Sequence, residues 1–358
     1  MKLPAVLIVL LLALSGPAPA QSSRAWVTPL GAEFEEGYAA SAVQFGFNDK
    51  STESRTQQVD KGPIGANLPM LIRGIAWRRD GRARPNSIKR TGELEVIMSH
   101  ADFSKVTSAY ASNYKDSPVT TFIRKVVNLP DWTAAPPWNP AGFDLVLMFD
   151  KPFIYNRKDA LLYELVVRKL SSPLTYHMDF YRDNQLKYGF GNWPTVLGSG
   201  CTTANGEMAQ SCCIRASGAG LEVLFRLWGA PSSTQVFAAV GTSDPKLTLP
   251  GLCGTLHANP ILLLSLAVSD AAGRVGPTQA AVTPWSPVFA GATFYTQCLA
   301  LDPSLPYGLA LSSAQSCPAP TTSVKSSLPT HMIWNYSSAN AASGYLDTLT
   351  CCPTMFLY

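Results

Sequence analysis

Between residues 71 and 181 the chain breaks repeatedly into short apolar or alternating runs, each closed by Pro, Asn, Gly or Asp. "LIRGIAWRR" (71–79) leads into the turn-rich "DGRARPN". "GELEVIMSH" (92–100) alternates, with Leu94, Val96 and Met98 on one face and Glu93, Glu95 and Ile97 on the other. "TTFIRKVVNL" (120–129), "FDLVLMF" (143–149), "ALLYELVVRKL" (160–170) and "LTYHMDFY" (174–181) follow. Strand-length runs at such short spacing specify an all-β sandwich or jelly roll. The one helix candidate is 102–114, where Asp102 could cap and Phe103, Val106, Ala109 and Tyr110 share a face.

The second half repeats the style in different chemistry. Its strands are expected in 220–231, 233–241, 259–274, 291–303 and 307–315, with Gly and Pro between them. Residues 21–200 carry 22 Lys+Arg and 18 Asp+Glu and no cysteine, whereas residues 201–358 carry 5 and 6 and all eight cysteines. That contrast, with a length above what one core usually holds, divides the chain. The expected plan is a leader (1–20), a jelly-roll-like sandwich (21–197), a disulfide-bearing sandwich (198–320) and a tail (321–358). The tail ends in the apolar "TMFLY" and is read as a strand docked back onto the second domain through Cys351 or Cys352.

The leader has Lys2, an apolar run from Leu3 to Leu14, a break at Gly16-Pro17 and Ala18-Pro19-Ala20 as a cleavage site. The run is shorter than the roughly 20 apolar residues a span requires, so export with cleavage after Ala20 is expected, and no membrane span thereafter. In an oxidising compartment an even cysteine count reads as a disulfide framework. All of Cys201, Cys212, Cys213, Cys253, Cys298, Cys317, Cys351 and Cys352 are therefore expected in bridges. The vicinal residues at 212–213 and 351–352 need partners elsewhere, and spacing alone selects no connectivity. A zinc site from Cys201, Cys212, Cys213 and His257 is disfavoured, because two adjacent ligands suit a tetrahedral site poorly.

The segments "IRGIAWRRDG" (72–81), "VNLPDW" (127–132) and "FDLVLMFDKPFIYN" (143–156) resemble the jelly-roll-like first domain of uncharacterised secreted proteins of planctomycete-type bacteria. "GSGC" (198–201), "LWGAP" (227–231), "GLCGTLHANP" (251–260) and "SPVFAGATFYTQCLALDP" (286–303) resemble the β-sandwich that follows it there. The resemblance covers roughly residues 60–315. It implies a two-domain β fold and a pairing of Cys201 with Cys253, and it brings no known reaction or ligand. The vicinal cysteines depart from that family's pattern.

Catalytic signatures are sparse. G-x-S-x-G, H-E-x-x-H, Walker and G-x-G-x-x-G sequences are missing, and His100, His177, His257 and His331 are scattered. Glu93 and Glu95 could pair as glycosidase acids, but alternating acids on a strand usually mark its solvated face. Asp179, Asp183 and Asn184 could offer oxygens to calcium, with an ordinary Asx turn favoured. Arg78, Arg79, Arg82, Arg84, Lys89 and Arg90 surround the single acid Asp80 in a loop that could grip a polyanion, against the reading of a solvated basic hairpin. Trp132 and Trp138 lie in a Pro-rich loop that could cover a sugar, or one of them could close the end of a sandwich.

The expectation is a secreted or cell-surface binding or structural protein without catalysis, cofactor or metal. Its candidate ligand set is Arg78, Arg79, Arg82, Arg84, Trp132 and Trp138, and its partner an acidic polysaccharide or another cell-surface component. The net charge of +4 is too mild for nucleic acid. The alternative is a secreted polysaccharide hydrolase using Glu93, Glu95 or Asp179. No oligomeric state follows from the sequence.

Overall fold

The structure, a computed structural model, describes residues 25–37, 39–41, 45, 51–62, 69–182, 189–190, 194–217, 220–322, 330–348 and 350–358. The leader and its cleavage point lie outside these residues. The described chain is nearly all β, in antiparallel sheets. Its helices are 3-10 turns of three or four residues. The helix expected over 102–114 is two such turns, Phe103–Lys105 and Tyr110–Asn113. Asp102 does cap the first, accepting from the Ser104 N–H at 3.1 Å. Between the turns the Asn113 side chain accepts from the Thr107 N–H at 2.8 Å, which gives that backbone donor a partner outside any helix.

Two hydrophobic cores divide the molecule. One draws on residues 26–180 together with Met332, Cys352 and Phe356. The other draws only on residues 201–319. The first core lies between a six-stranded and a four-stranded sheet. The six-stranded order is Tyr345–Asp347, Thr330–Asn335, Ser54–Asp60, Ala160–Arg168, Arg90–Ala101 and Val119–Leu129. Leu94, Val96 and Met98 are fully buried, as their alternation predicts. The opposite face of that strand carries Glu93, which accepts from Lys169 Nζ at 2.6 Å, and Glu95, which accepts from Arg168 Nη1 at 3.2 Å.

The four-stranded sheet corrects the placement of the tail. Its order is Ala25–Thr28, Thr354–Leu357, Met70–Trp77 and Leu145–Tyr155. The tail therefore joins the first sandwich, not the second, and it does so by strand pairing rather than by a disulfide. Trp26 registers with Phe356, and Phe356 with Ile75. The physical reason lies in "TMFLY": its strand is hydrogen-bonded on both edges, and Phe356 enters the core, 4.7 Å from Trp26 between ring centroids. Upstream, Thr330–Asn335 pairs with Ser54–Asp60.

The second sandwich packs the sheet Gly189–Phe190, Ala209–Ser217, Gly220–Trp228, Val275–Thr283 against Thr195–Leu197, Leu309–Pro318, Thr293–Leu301, Gln235–Gly241, Leu262–Val268. Two strands that precede residue 198 thus already belong to it. The Cys201–Cys253 bridge implied by the resemblance is present, with a Cα–Cα distance of 5.2 Å. The other six cysteines are buried and unbridged in this structure, where a fully bridged set was expected. Cys351 and Cys352 sit among first-sandwich residues, which removes them from any bridge to the second.

Two outcomes follow from this packing. Phe356→Ala should lower the unfolding free energy of the first sandwich by about 3–5 kcal/mol, read by denaturant titration, since the void lies in a closed core. Asp60 is fully buried at the end of its strand, and burial pushes its carboxyl up to about 7 despite the Gln58 amide donating at 3.2 Å. The folded chain therefore holds a proton that the unfolded chain releases between pH 3.8 and 7. Stability from this group should be full below that window and lost across it, by something on the order of 4 kcal/mol. Asp60→Asn should flatten that slope in melts recorded across the window.

Candidate functional site

The segment 31–37 of the first sandwich docks on the 209–228 hairpin of the second, and charge is concentrated at the junction. Phe34 packs with Cys213 and Leu224. Ser211 Oγ donates to Glu33 at 2.5 Å, and Arg215 pairs with both Glu35 and Glu222. Beneath lies Arg78, whose side chain is sealed from solvent. Its Nε donates to Asp179 Oδ2 at 2.7 Å, and its Nη2 reaches the same carboxylate and the Glu35 carbonyl. Burial works most strongly against the Arg78 charge, but Asp179, Tyr181 and Glu36 together outweigh it and hold the guanidinium protonated. Gly37 lies directly on the Asp179 carboxylate and the Phe180 carbonyl, where any Cβ would collide.

Other acids here are shifted by the same surroundings. Burial, and next the Asp179 carboxylate, push Glu36 up to about 7. Burial also raises Glu33. These carboxylates converge, as an acid-base site would require, and each has one oxygen hydrogen-bonded and the other buried without a partner among the described residues. Glu36 accepts from the Gly81 N–H, and Glu33 from Ser211. The adjoining cavity, which Glu33 lines with Phe34 and Ser211, is about 40 Å³, room for water and not for a sugar ring. The cluster is a joint between the sandwiches.

The basic loop is largely absorbed by contacts within the first sandwich. Arg78 is in the ion pair just described. Arg84 Nε donates to Asp80 at 2.8 Å, and Arg79 Nη1 donates to the Ala134 carbonyl at 2.9 Å. Arg90 is buried and donates to the carbonyls of Asn86 and Ile88. Arg82 and Lys89 face solvent. The Arg79–Ala134 contact, with the Trp132 N–H donating to Ser87 O at 2.8 Å, brings the basic and tryptophan loops to one end of the sandwich. Trp132 itself is buried there, stacked on Tyr176 at 4.6 Å and donating to Asp144 at 3.1 Å. It closes the sandwich end. Asp179 is committed to Arg78, and Asp183 and Asn184 lie outside the described residues.

Trp138 reaches the second sandwich. Its ring lies against Gly276, where a Cβ would press it at 3.3 Å, and under the Arg274 guanidinium, 5.1 Å from the centroid. Here a cleft of about 270 Å³ opens between the sandwiches, lined by Trp138, Phe143, Asp144, Arg226, Trp228 and Arg274 among others. Arg226 is 4% exposed. Burial lowers its pKa to about 10 against the pull of Glu33, and its Nη2 donates to the Pro140 carbonyl at 3.4 Å. Burial also raises the Asp144 carboxyl. The cleft thus combines aromatic faces, two guanidinium groups and one carboxyl.

Of the expected ligand set, this cleft contains Trp138. Its cations come from the second sandwich, where sequence reading had placed only strands. A signal was present: Arg226 and Trp228 in "LFRLWGAP" sit two apart, on the face of a strand that also carries Glu222.

No protein-family model, no curated protein and no solved structure matches this chain. What it does must be argued from the geometry above.

The joint yields its own test. Arg78→Met leaves the Asp179 carboxylate buried without its cation and should cost about 3–5 kcal/mol. The double variant Arg78→Met/Asp179→Leu should recover most of that loss in the same denaturant titration.

Proposed function

We propose that this chain is an exported, non-catalytic binding protein whose interdomain cleft takes an acidic residue of an extracellular or cell-surface polysaccharide. The observation that carries the reading is the Trp138–Arg274 stack beside the desolvated Arg226. An indole face covers a sugar ring through its C–H groups, and guanidinium groups hold a carboxylate or sulfate in a planar fork. Arg226 lies where water is largely excluded, so an anion placed beside it would be attracted more strongly than at the surface. The cleft volume is just under the roughly 300 Å³ at which ordinary ligand sites begin, which suits one sugar unit of a chain that continues outside. Export rests on the leader-like residues 1–20.

The hydrolase reading has less support. Glycosidases use two carboxyls about 5–9.5 Å apart. Among the residues lining the cleft, Asp144 is the one acid. Glu93 and Glu95 hold Lys169 and Arg168 on an outer face, and Asp179 holds Arg78.

The test is retention on polyuronate, sulfated and neutral glucan resins at low and physiological salt. Retention is expected on the acidic polymers, weakening with salt as screening shortens to about 8 Å. Arg274→Ala, at a half-exposed position, should weaken it about three- to tenfold, the range of a partly desolvated cation–π and ionic contact. Arg82→Ala/Arg84→Ala should leave it unchanged. Equal retention on neutral glucan, loss in the loop variant alone, or no retention at low salt would reject the reading.

A further inference from the structure

In each vicinal cysteine pair the two side chains enter different surroundings, and that decides what each sulfur can meet. In Ala209–Ser217, Cys212 faces the core of the second sandwich, beside Cys201, Cys298 and Cys317. Cys213 faces the other way, packing with Leu224 and with Phe34 of the first sandwich. In the tail, Cys351 packs with Val27, Ala32 and Tyr181, and Cys352 enters the first core. With its two side chains in different surroundings, neither pair closes on itself.

Cys212 and Cys317 do meet. They belong to opposite sheets of the second sandwich, Ala209–Ser217 and Leu309–Pro318. Each is 1% exposed. The Cys317 thiol lies 3.9 Å from the Cys212 carbonyl and 3.7 Å from Thr296 Oγ1. The Cys212 side chain enters the same core cluster that holds Cys317. The backbone there is fixed independently: the Cys212 N–H donates to Gln315 Oε1 at 2.6 Å, and Gln210 Nε2 donates to the Thr296 carbonyl at 2.8 Å. The Cys317 sulfur thus reaches the Cys212 backbone across the sandwich, with both side chains in one core.

We propose that Cys212 and Cys317 are the second disulfide of this protein, a staple between the two sheets. The chemistry is an exchange with an external disulfide, either a small one such as oxidised glutathione or a thiol–disulfide oxidoreductase. One cysteine, as thiolate, attacks that disulfide and expels a first thiolate. The second cysteine then attacks the mixed disulfide and expels the other. The two S–H bonds are lost, one S–S bond forms, the external disulfide is reduced to two thiols, and both protons pass to them. Burial and the neighbouring Cys317 raise the Cys212 thiol well above its ordinary range, so the attacking thiolate forms before the sandwich closes. The bond is then shut away from reductant.

The other four cysteines remain thiols. Cys298 is buried on Thr293–Leu301, and no hydrogen bond or bridge joins its thiol to another sulfur among the described residues. Cys213, Cys351 and Cys352 face apolar surroundings drawn wholly or partly from the first sandwich.

The experiment is denaturing alkylation without reductant of protein folded in a glutathione redox buffer, followed by intact mass and peptide mapping. Four labels are expected, on Cys213, Cys298, Cys351 and Cys352, with a linked peptide joining Cys212 to Cys317. Cys317→Ala should raise the labels to five and lower the thermal midpoint of the second sandwich. Cys213→Ala should reduce them to three and keep the Cys212–Cys317 linked peptide. Six labels on the unsubstituted protein would overturn the proposal. So would a linked peptide joining Cys317 to Cys213 instead of Cys212.

Discussion

The buried pair of Arg78 and Asp179 is the contact on which the arrangement of the two sandwiches depends. A guanidinium with no solvent exposure is tolerable only where its charge is met, and here a carboxylate and the Glu35 carbonyl meet it. Tyr181 donates to that same carbonyl. The 31–37 segment is thereby held in place, and its acids Glu33 and Glu35 reach out to Ser211 and Arg215 of the second sandwich. Arg78 also lies over the Phe143 ring, at 5.3 Å, and Phe143 lines the cleft. The joint and the cleft therefore share a wall.

The joint concentrates like charges, and its protonation follows from that. Glu36 is pushed up to about 7 by burial first and then by the facing Asp179 and Asp80 carboxylates. The same burial that lowers Arg226 removes competing water from the cleft. A surface loop carrying the same arginines would have met ligand anions through water and salt, at little net gain.

Closure of the first sandwich is a matter of the chain's two ends. Ala25–Thr28 and Thr354–Leu357 lie side by side, more than 320 residues apart in sequence, and the latter is an interior strand of its sheet. The second sandwich is inserted between them in sequence. Interior strands need partners on both edges, so the first core is complete only once residues 354–357 have been made.

Much of the fold was legible in the sequence because it rests on local rules. Alternation in 92–100 named the buried residues Leu94, Val96 and Met98. The apolar ending "TMFLY" announced a docked strand without naming its sheet, since alternation fixes which face is buried and is silent on which edge a strand joins. The arginine run from 78 to 90 looked like one surface feature. Tertiary structure split it, because each side chain on the strand end and loop takes its own direction: Arg78 and Arg90 inward, Arg84 to Asp80, Arg82 to solvent. The cleft was decided wholly at that level. It joins Trp138 to Arg226 and Arg274, residues about 90 and 140 positions further on, and no local pattern encodes an attraction that exists only once two sandwiches have met.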